Sequence, residues 1–273
     1  MGKFDNIFIV SDIDFTFLAK DRSIPSRNLE AIKYFKAEGG HFTFATGRSH
    51  LTLAHAFPDA AELLNAPAVV SNGCYLYDYS QSLMIGSKFL EKELALKVGN
   101  FILSVLPKTG LRILTPDETL YCAVNKYIEQ EISLSWYLNN PTYQEPKDWT
   151  GENWFKMVVR DDPDKLDFLR NKMDEEFTDG KLELCKSEAD FFEIQPEGCT
   201  KGRGIKYLRE NFIVNGVKPK IYACGDYEND LPMLAAADVA ACPANAHKAV
   251  KTIADMCLCS CDEGVIADLI DKL

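Results

Sequence analysis

The chain has no basic surplus, no long apolar run and no paired-cysteine framework, and each absence removes a class of function. Lys and Arg total 30 against 41 Asp and Glu, a net charge of −11 with a pI of about 4.9. Polynucleotide binding draws on a basic face that neutralises backbone phosphates, so nucleic acid is excluded as the main partner. The same acidity repels phosphate at long range, and any phosphate site must supply its own local cations. The longest apolar runs are broken by Pro, Asp or Asn well short of the ~20 residues a membrane span needs. The first residues, MGKFDNIFIV, show no export signal, and Asn6 removes the myristoylation pattern at Gly2. A cytoplasmic protein with nine reduced cysteines is therefore expected. Cys257, Cys259 and Cys261 could share one face of a strand, but no second Cys or His group of finger-like spacing completes a metal site, the nearest histidine being His247. They are read as small buried hydrophobes on a late strand. No G-x-G-x-x-G follows the first apolar run and no G-x-S-x-G occurs, which removes dehydrogenases and serine hydrolases of those types.

What is present is an alternation of strand and helix signals. Residues 7–10, IFIV, form a continuous apolar run suited to a strand buried on both faces. A helix is expected from Pro25-Ser26, with Leu29, Ile32 and Phe35 inward and Gly39-Gly40 closing it. HFTFA (41–45), a helix over 50–64 and AVVS (68–71) continue the pattern. The middle reads as a separate α+β module. It holds a helix with Leu94, Val98, Phe101, Ile102 and Val105 on one face, and a second near 125–138 carrying Ile128, Ile132 and Trp136. The strand FKMVVR, a helix from Asp162-Pro163 and the strands LELCK and FFEIQ complete it. After residue 198 the first pattern returns, with Thr200 as a helix cap, the strand IYAC (221–224), a helix near 229–236, the strand DVAAC and a helix near 245–254. The fold class is thus α/β, a doubly wound parallel sheet over 1–85 and 190–273 with an inserted α+β module at 86–189. Trp136, Trp149 and Trp154 are candidates for that module's substrate face, with core packing expected for at least one.

Open parallel sheets bind ligands at the carboxyl ends of their strands. The residues there are Asp12, Asp14 and Thr16 after the first strand, Thr46, Gly47 and Arg48 after the second, Asn72 and Gly73 after the third, and Gly225, Asp226, Asn229 and Asp230 after IYAC. Carboxylates from two strands then converge, an arrangement that needs a cation, and hard oxygen ligands select Mg²⁺ or a similar ion.

The segments IVSDIDFTFL, FTFATGRS, EIQPEGCTKGRGI and ACGDYENDLPML resemble the four ordered motifs of the haloacid dehalogenase superfamily of phosphotransferases. The long insertion between the second and third motifs, the SNG turn and the phrase NDLPML resemble its Cof-type subgroup of sugar-phosphate-like phosphatases. The resemblance implies a Rossmann-like core, an inserted cap that sets specificity and a small phosphorylated metabolite as substrate. It implies Asp12 as a nucleophile that takes the phosphoryl group, and Asp14 as general acid and base. It further implies Thr46 and Lys201 as the phosphoryl clamp, and Gly47, Arg48, Asn72, Gly73 and Asn229 as further substrate contacts. The metal would lie among Asp12, Asp14, Asp226 and Asp230, with Asp230 orienting water or Lys201. Where the family usually has Gly, directly after the second Asp, this chain has Phe15, which must adopt an ordinary conformation or carry strain. A sugar-phosphate mutase and a non-catalytic phosphometabolite-binding protein are the competing expectations.

Overall fold

The computed structural model describes residues 2–133, 141–213 and 216–273. The chain divides into two compact units. The first gathers Met1–Gly47, Pro58–Gly86 and Thr200–Leu273, and the second Arg48–Phe57 and Ser87–Cys199.

The first unit begins with β1 (Ile7–Ser11), α1 (Ser26–Ala37) and β2 (His41–Phe44). After α2 (His50–Ala56), which belongs to the second unit, come α3 (Ala60–Leu63), β3 (Ala68–Val70), β4 (Tyr75–Asp78) and β5 (Leu83–Ile85). The second unit comprises α4 (Lys92–Val105), β6 (Gly110–Leu114), β7 (Thr119–Ala123), α5 (Lys126–Ser133) and β8 (Thr142–Tyr143). It continues through β9 (Lys156–Arg160), α6 (Pro163–Glu176), β10 (Leu182–Glu188) and β11 (Phe191–Pro196). The chain then returns to the first unit for α7 (Lys201–Asn211), β12 (Lys220–Cys224), α8 (Leu231–Ala236) and β13 (Val239–Cys242). The last elements are α9 (Lys248–Ile253), β14 (Met256–Cys257) and α10 (Val265–Asp271).

The main sheet of the first unit has the order β14-β13-β12-β1-β2, every pair parallel. A parallel bridge from Ala45 to Val69 sets β3 beyond β2. Within this unit the strands therefore run 3-2-1-4-5-6, the doubly wound Rossmann-like order, with the reversal between β1 and β12. Phe8, Ile9 and Val10 are all fully buried, as an apolar strand covered on both faces must be. Phe8 and Val10 pack with Ile205 and Leu208 of α7 and Met233 of α8. Ile9 pairs with Phe42 on the other face, where Phe42, Phe44 and Phe17 form edge and tilted ring contacts.

The second unit folds around a six-stranded sheet, β10-β11-β9-β6-β7-β8, antiparallel except for β7 with β8. The alternation of strand side chains divides it. Leu111, Ile113, Met157, Val159, Phe192 and Ile194 pack with Val98 and Ile102 of α4 and Leu166, Leu169 and Met173 of α6. Trp149 and Trp154 are buried in the same core. The alternate positions carry charge: Lys156 pairs with Glu193, and Glu131 bridges Arg112 (2.9 Å) and Arg160 (3.2 Å).

Several local expectations change. The helix expected over 50–64 is two helices, because Phe57, preceding Pro58, leaves the helical region at φ −132°, ψ 81°. Leu29 is exposed, and its neighbour Asn28 is the buried residue. Asn28 Oδ1 accepts from Ile266 and Ala267 N–H, capping α10, while its Nδ2 donates to Phe17 O. A boundary at 189/190 would cut the β10–β11 hairpin; Phe191–Pro196 pair with β10 and Phe191–Ile194 with β9, and the chain groups with the second unit through Cys199. The late strand is only Met256–Cys257, with Cys257 exposed, Cys259 half-buried and Cys261 buried in the turn beyond, so the three cysteines do not line one buried strand. The helix near 245–254 starts at Lys248. Trp136 and the end of the helix expected to 138 lie outside the described residues. Among the described residues no helix is long and apolar enough to cross a membrane.

Candidate active site

The reversal of strand order sets β1 beside β12, so the loops leaving their carboxyl ends emerge together. Asp12 follows β1 directly, its N–H donating to Cys224 O at 2.8 Å, and Gly225 and Asp226 follow β12. One oxygen from each of Asp12, Asp226 and Asp230 lies within 4.8 Å of the other two, and all three residues are buried. Lys201, the first residue of α7 and 1% exposed, donates from Nζ to Asp12 Oδ1 and to Asp230 Oδ1, both at 2.6 Å. The other oxygen of Asp230 accepts from Asp226 N–H at 2.9 Å and Tyr227 N–H at 3.1 Å. Thr16 Oγ1 donates to Asp226 Oδ1 at 3.1 Å. Gly225 is required by this closeness, since a Cβ there would sit 2.4 Å from Asp230 Cγ.

Three buried carboxylates share one ammonium, and the charge does not balance. Burial pushes Asp12 up to about 7 even though Lys201 pulls the other way, with Asp230 and Asp14 adding to the rise. Burial, then Asp12 and Asp230, push Asp226 up to about 9. Burial alone would depress Lys201, but Asp12 and Asp230 on either side hold it above the ordinary lysine value. A donor set made only of carboxylate oxygens, carrying surplus negative charge, fits a hard divalent cation such as Mg²⁺.

The loop after Asp12 turns once through Ile13–Phe17, closed by Leu18 N–H donating to Ile13 O at 2.9 Å. Phe15 is left-handed (φ 58°, ψ 8°), a conformation costing a non-glycine residue about 1 kcal/mol. Its carbonyl accepts from Asn245 Nδ2 at 2.8 Å, and Asn245 Oδ1 accepts from Cys261 N–H at 2.9 Å. The side chain of Phe15 is exposed.

Thr46 is buried, its N–H donating to Val69 O (2.8 Å) and its carbonyl accepting from Asn72 N–H (2.9 Å). Asn229 Nδ2 donates to Asn72 Oδ1 at 3.4 Å. Gly73 (φ +86°) passes so close to the start of α7 that a Cβ would lie 2.1 Å from Thr200 O. Thr200 occupies the expected cap position without a side-chain cap bond. Asp14 is half-buried and its carboxylate is outside the three-carboxylate cluster. Gly47 is half-buried at the end of the first unit's opening segment, and Arg48 is half-buried in the second unit.

Sequence reasoning overlooked two residues. Arg203 donates from Nη1 to Gly73 O (2.7 Å) and Cys74 O (3.0 Å), and from Nη2 to Gly86 O (2.5 Å), holding the Asn72-Gly73 turn. Asn245 holds Phe15. Asn245 lies just past β13, so the strand-end rule carried one strand further finds it; Arg203 acts on carbonyls and has no such signal.

The sequence pattern of the haloacid dehalogenase-like hydrolases matches residues 9–270. A Streptococcus pyogenes protein named as a phosphatase is 28% identical over 235 residues, 83% of this chain and 82% of its own length. The Bacillus subtilis 5-amino-6-(5-phospho-D-ribitylamino)uracil phosphatase is 26% identical over 293 aligned residues, covering 97% of each chain. Among solved structures, a HAD/COF-like hydrolase from Plasmodium vivax superposes with a TM-score of 0.84 at 23% identity, covering 99% of this chain and 96% of that one.

Proposed function

The chain belongs to the haloacid dehalogenase-like hydrolases and is a phosphatase of that family, and on that premise we propose that it hydrolyses small phosphate monoesters with Mg²⁺ through an aspartyl-phosphate on Asp12. The observation that carries this reading is the position of Lys201 between Asp12 and Asp230, beside Asp226. A buried carboxylate held against an ammonium is kept available for attack on phosphorus while the cation waits for the phosphoryl oxygens.

In this reading the Asp12 carboxylate attacks phosphorus, and the Lys201 ammonium and Thr46 hydroxyl bind the phosphoryl oxygens, with Asn229, Asn72 and the Gly47 and Gly73 turns fixing their orientation. Asp14 gives a proton to the leaving alcohol and then takes one from the water that releases phosphate, a role worth about 10²- to 10⁴-fold. Asp12, Asp226, the Asp14 carbonyl and, behind them, Asp230 would hold Mg²⁺, which when bound screens the nucleophile from the phosphate charge. The second unit, with Arg48, is the specificity module. A sugar or polyol phosphate is the proposed substrate class, in keeping with the ribityl phosphate named for the Bacillus subtilis relative. A small phosphometabolite in the cytoplasm is the proposed partner, with no role for nucleic acid or membrane.

The test is p-nitrophenyl phosphate turnover. Activity should require a divalent metal, vanish in EDTA and fall at least about 10³-fold in Asp12→Asn. Turnover without metal, or an active Asp12→Asn, would sink the reading.

A further inference from the structure

Cys224, Cys242 and Cys257 are the last residues of three adjacent parallel strands, β12, β13 and β14. β14 is held to β13 through only two register pairs, Ala241 with Met256 and Cys242 with Cys257. Register partners on parallel strands carry their side chains on the same face, with backbones about 4.8 Å apart, inside the ~4.4–6.8 Å Cα range that a disulfide spans. Cys257 is exposed on the edge strand, and Cys242 is buried in the core beneath it. One thiol is thus open to a reagent and the other is in position to displace it.

The segments leaving these cysteines are tied to each other and to the acidic site. Leu258 N–H donates to Cys242 O at 2.8 Å, and Ala244 N–H to Cys259 O at 3.1 Å. Three residues beyond Cys242, Asn245 donates to Phe15 O (2.8 Å), and the N–H of His247 donates to Asp226 O (2.8 Å). A covalent bond that draws β14 toward β13 pulls on the loop that fixes both carbonyls.

We propose that Cys242 and Cys257 form a reversible disulfide with small-molecule disulfides as oxidant, and that its formation alters the acidic site through Asn245 and His247. The thiolate of Cys257 attacks the reagent disulfide, forming a mixed disulfide and expelling one thiolate. Cys242 gives its proton to solvent, attacks the Cys257 sulfur and expels the second thiolate. The protein loses two protons and two electrons, and one reagent disulfide becomes two thiols. A reducing dithiol reverses both steps.

The experiment equilibrates the native full-length chain in glutathione buffers of graded redox poise, followed by acid quench, alkylation and peptide mass mapping. A Cys242–Cys257 cross-link is expected, absent in Cys257→Ser; Cys242→Ala should instead accumulate a glutathione adduct on Cys257. Glutathionylation of Cys257 in the wild type without the cross-link, or a different pairing, overturns the proposal. The coupling is read separately and rests on the phosphatase reading: p-nitrophenyl phosphate turnover should change about tenfold between oxidised and reduced wild type and stay constant in Cys257→Ser. A cross-link that leaves wild-type turnover unchanged overturns the coupling. Loss of activity in both redox states of every variant, with the cross-link still mapped in wild type, points instead at the phosphatase reading.

Discussion

Phe15 sits three residues past the candidate nucleophile, in a backbone conformation that glycine adopts without cost and phenylalanine does not. The Asn245 bond to its carbonyl shows how the strain is held, and the exposed ring shows that packing of the side chain is not the reason for it. Phe15→Gly should change stability by less than about 1 kcal/mol, because relief of the strained φ offsets the extra entropy of an unfolded glycine. Phe15→Val, β-branched at the same φ, should destabilise by about 1–3 kcal/mol. Urea denaturation of the three proteins measures both, and equal stabilities would mean that the loop relaxes out of the left-handed region. At this scale the sequence was most readable where a residue of the cluster lies within a step or two of a strand end or helix start. Asp12, Asp226 and Lys201 are of that kind. Asn245 and Arg203 act on carbonyls 230 and 130 or fewer residues away in the chain, where no local residue preference marks them.

The elements that position the site do so by close approach. The turn from β12 to α8 folds Asp230 back under its own Gly225, and this brings Asp230 to both Lys201 and the Asp226 N–H. Gly225→Ala places a methyl within 2.6 Å of three atoms of the Asp230 side chain. The variant should lose about 1–3 kcal/mol of stability from overpacking. If Asp230 orients Lys201 as proposed, turnover should also fall about 10-fold or more; full activity would show that the Asp230–Lys201 contact is dispensable. The parallel strands were legible because burial on both faces demands continuous apolar runs such as IFIV, and the helices of the second unit because their stripes recur at helical spacing. Less legible were the break at Phe57-Pro58 and the edge of the second unit. The first depends on one proline's effect on its predecessor. The second depends on which strand pairs with β11, a long-range choice that an alternating pattern alone does not determine.

For the molecule as a whole, the surplus buried acid is a store of pH-dependent stability. Asp12 and Asp226 ionise near 3.8 when unfolded and near 7 and 9 in the metal-free fold, so between those limits the folded chain holds more protons. Their contribution is therefore complete below about pH 4 and is lost as pH rises through about 7 and then 9. In EDTA the melting temperature should fall from about pH 6 to 9; Asp226→Asn should flatten the fall, and Mg²⁺ should counter it by binding the ionised carboxylates. A metal-free melting temperature that rises over this range would contradict the assigned shifts. The central step of the proposed reaction is attack of the Asp12 carboxylate on phosphorus. The direct measurement is rapid acid quench of turnover with a ³²P-labelled phosphate monoester, followed by peptide mapping of protein-bound label. Label on the peptide containing Asp12, released by hydroxylamine and absent from Asp12→Asn, is the predicted result; full turnover with no label on the protein at any quench time, or label on another residue, would contradict it.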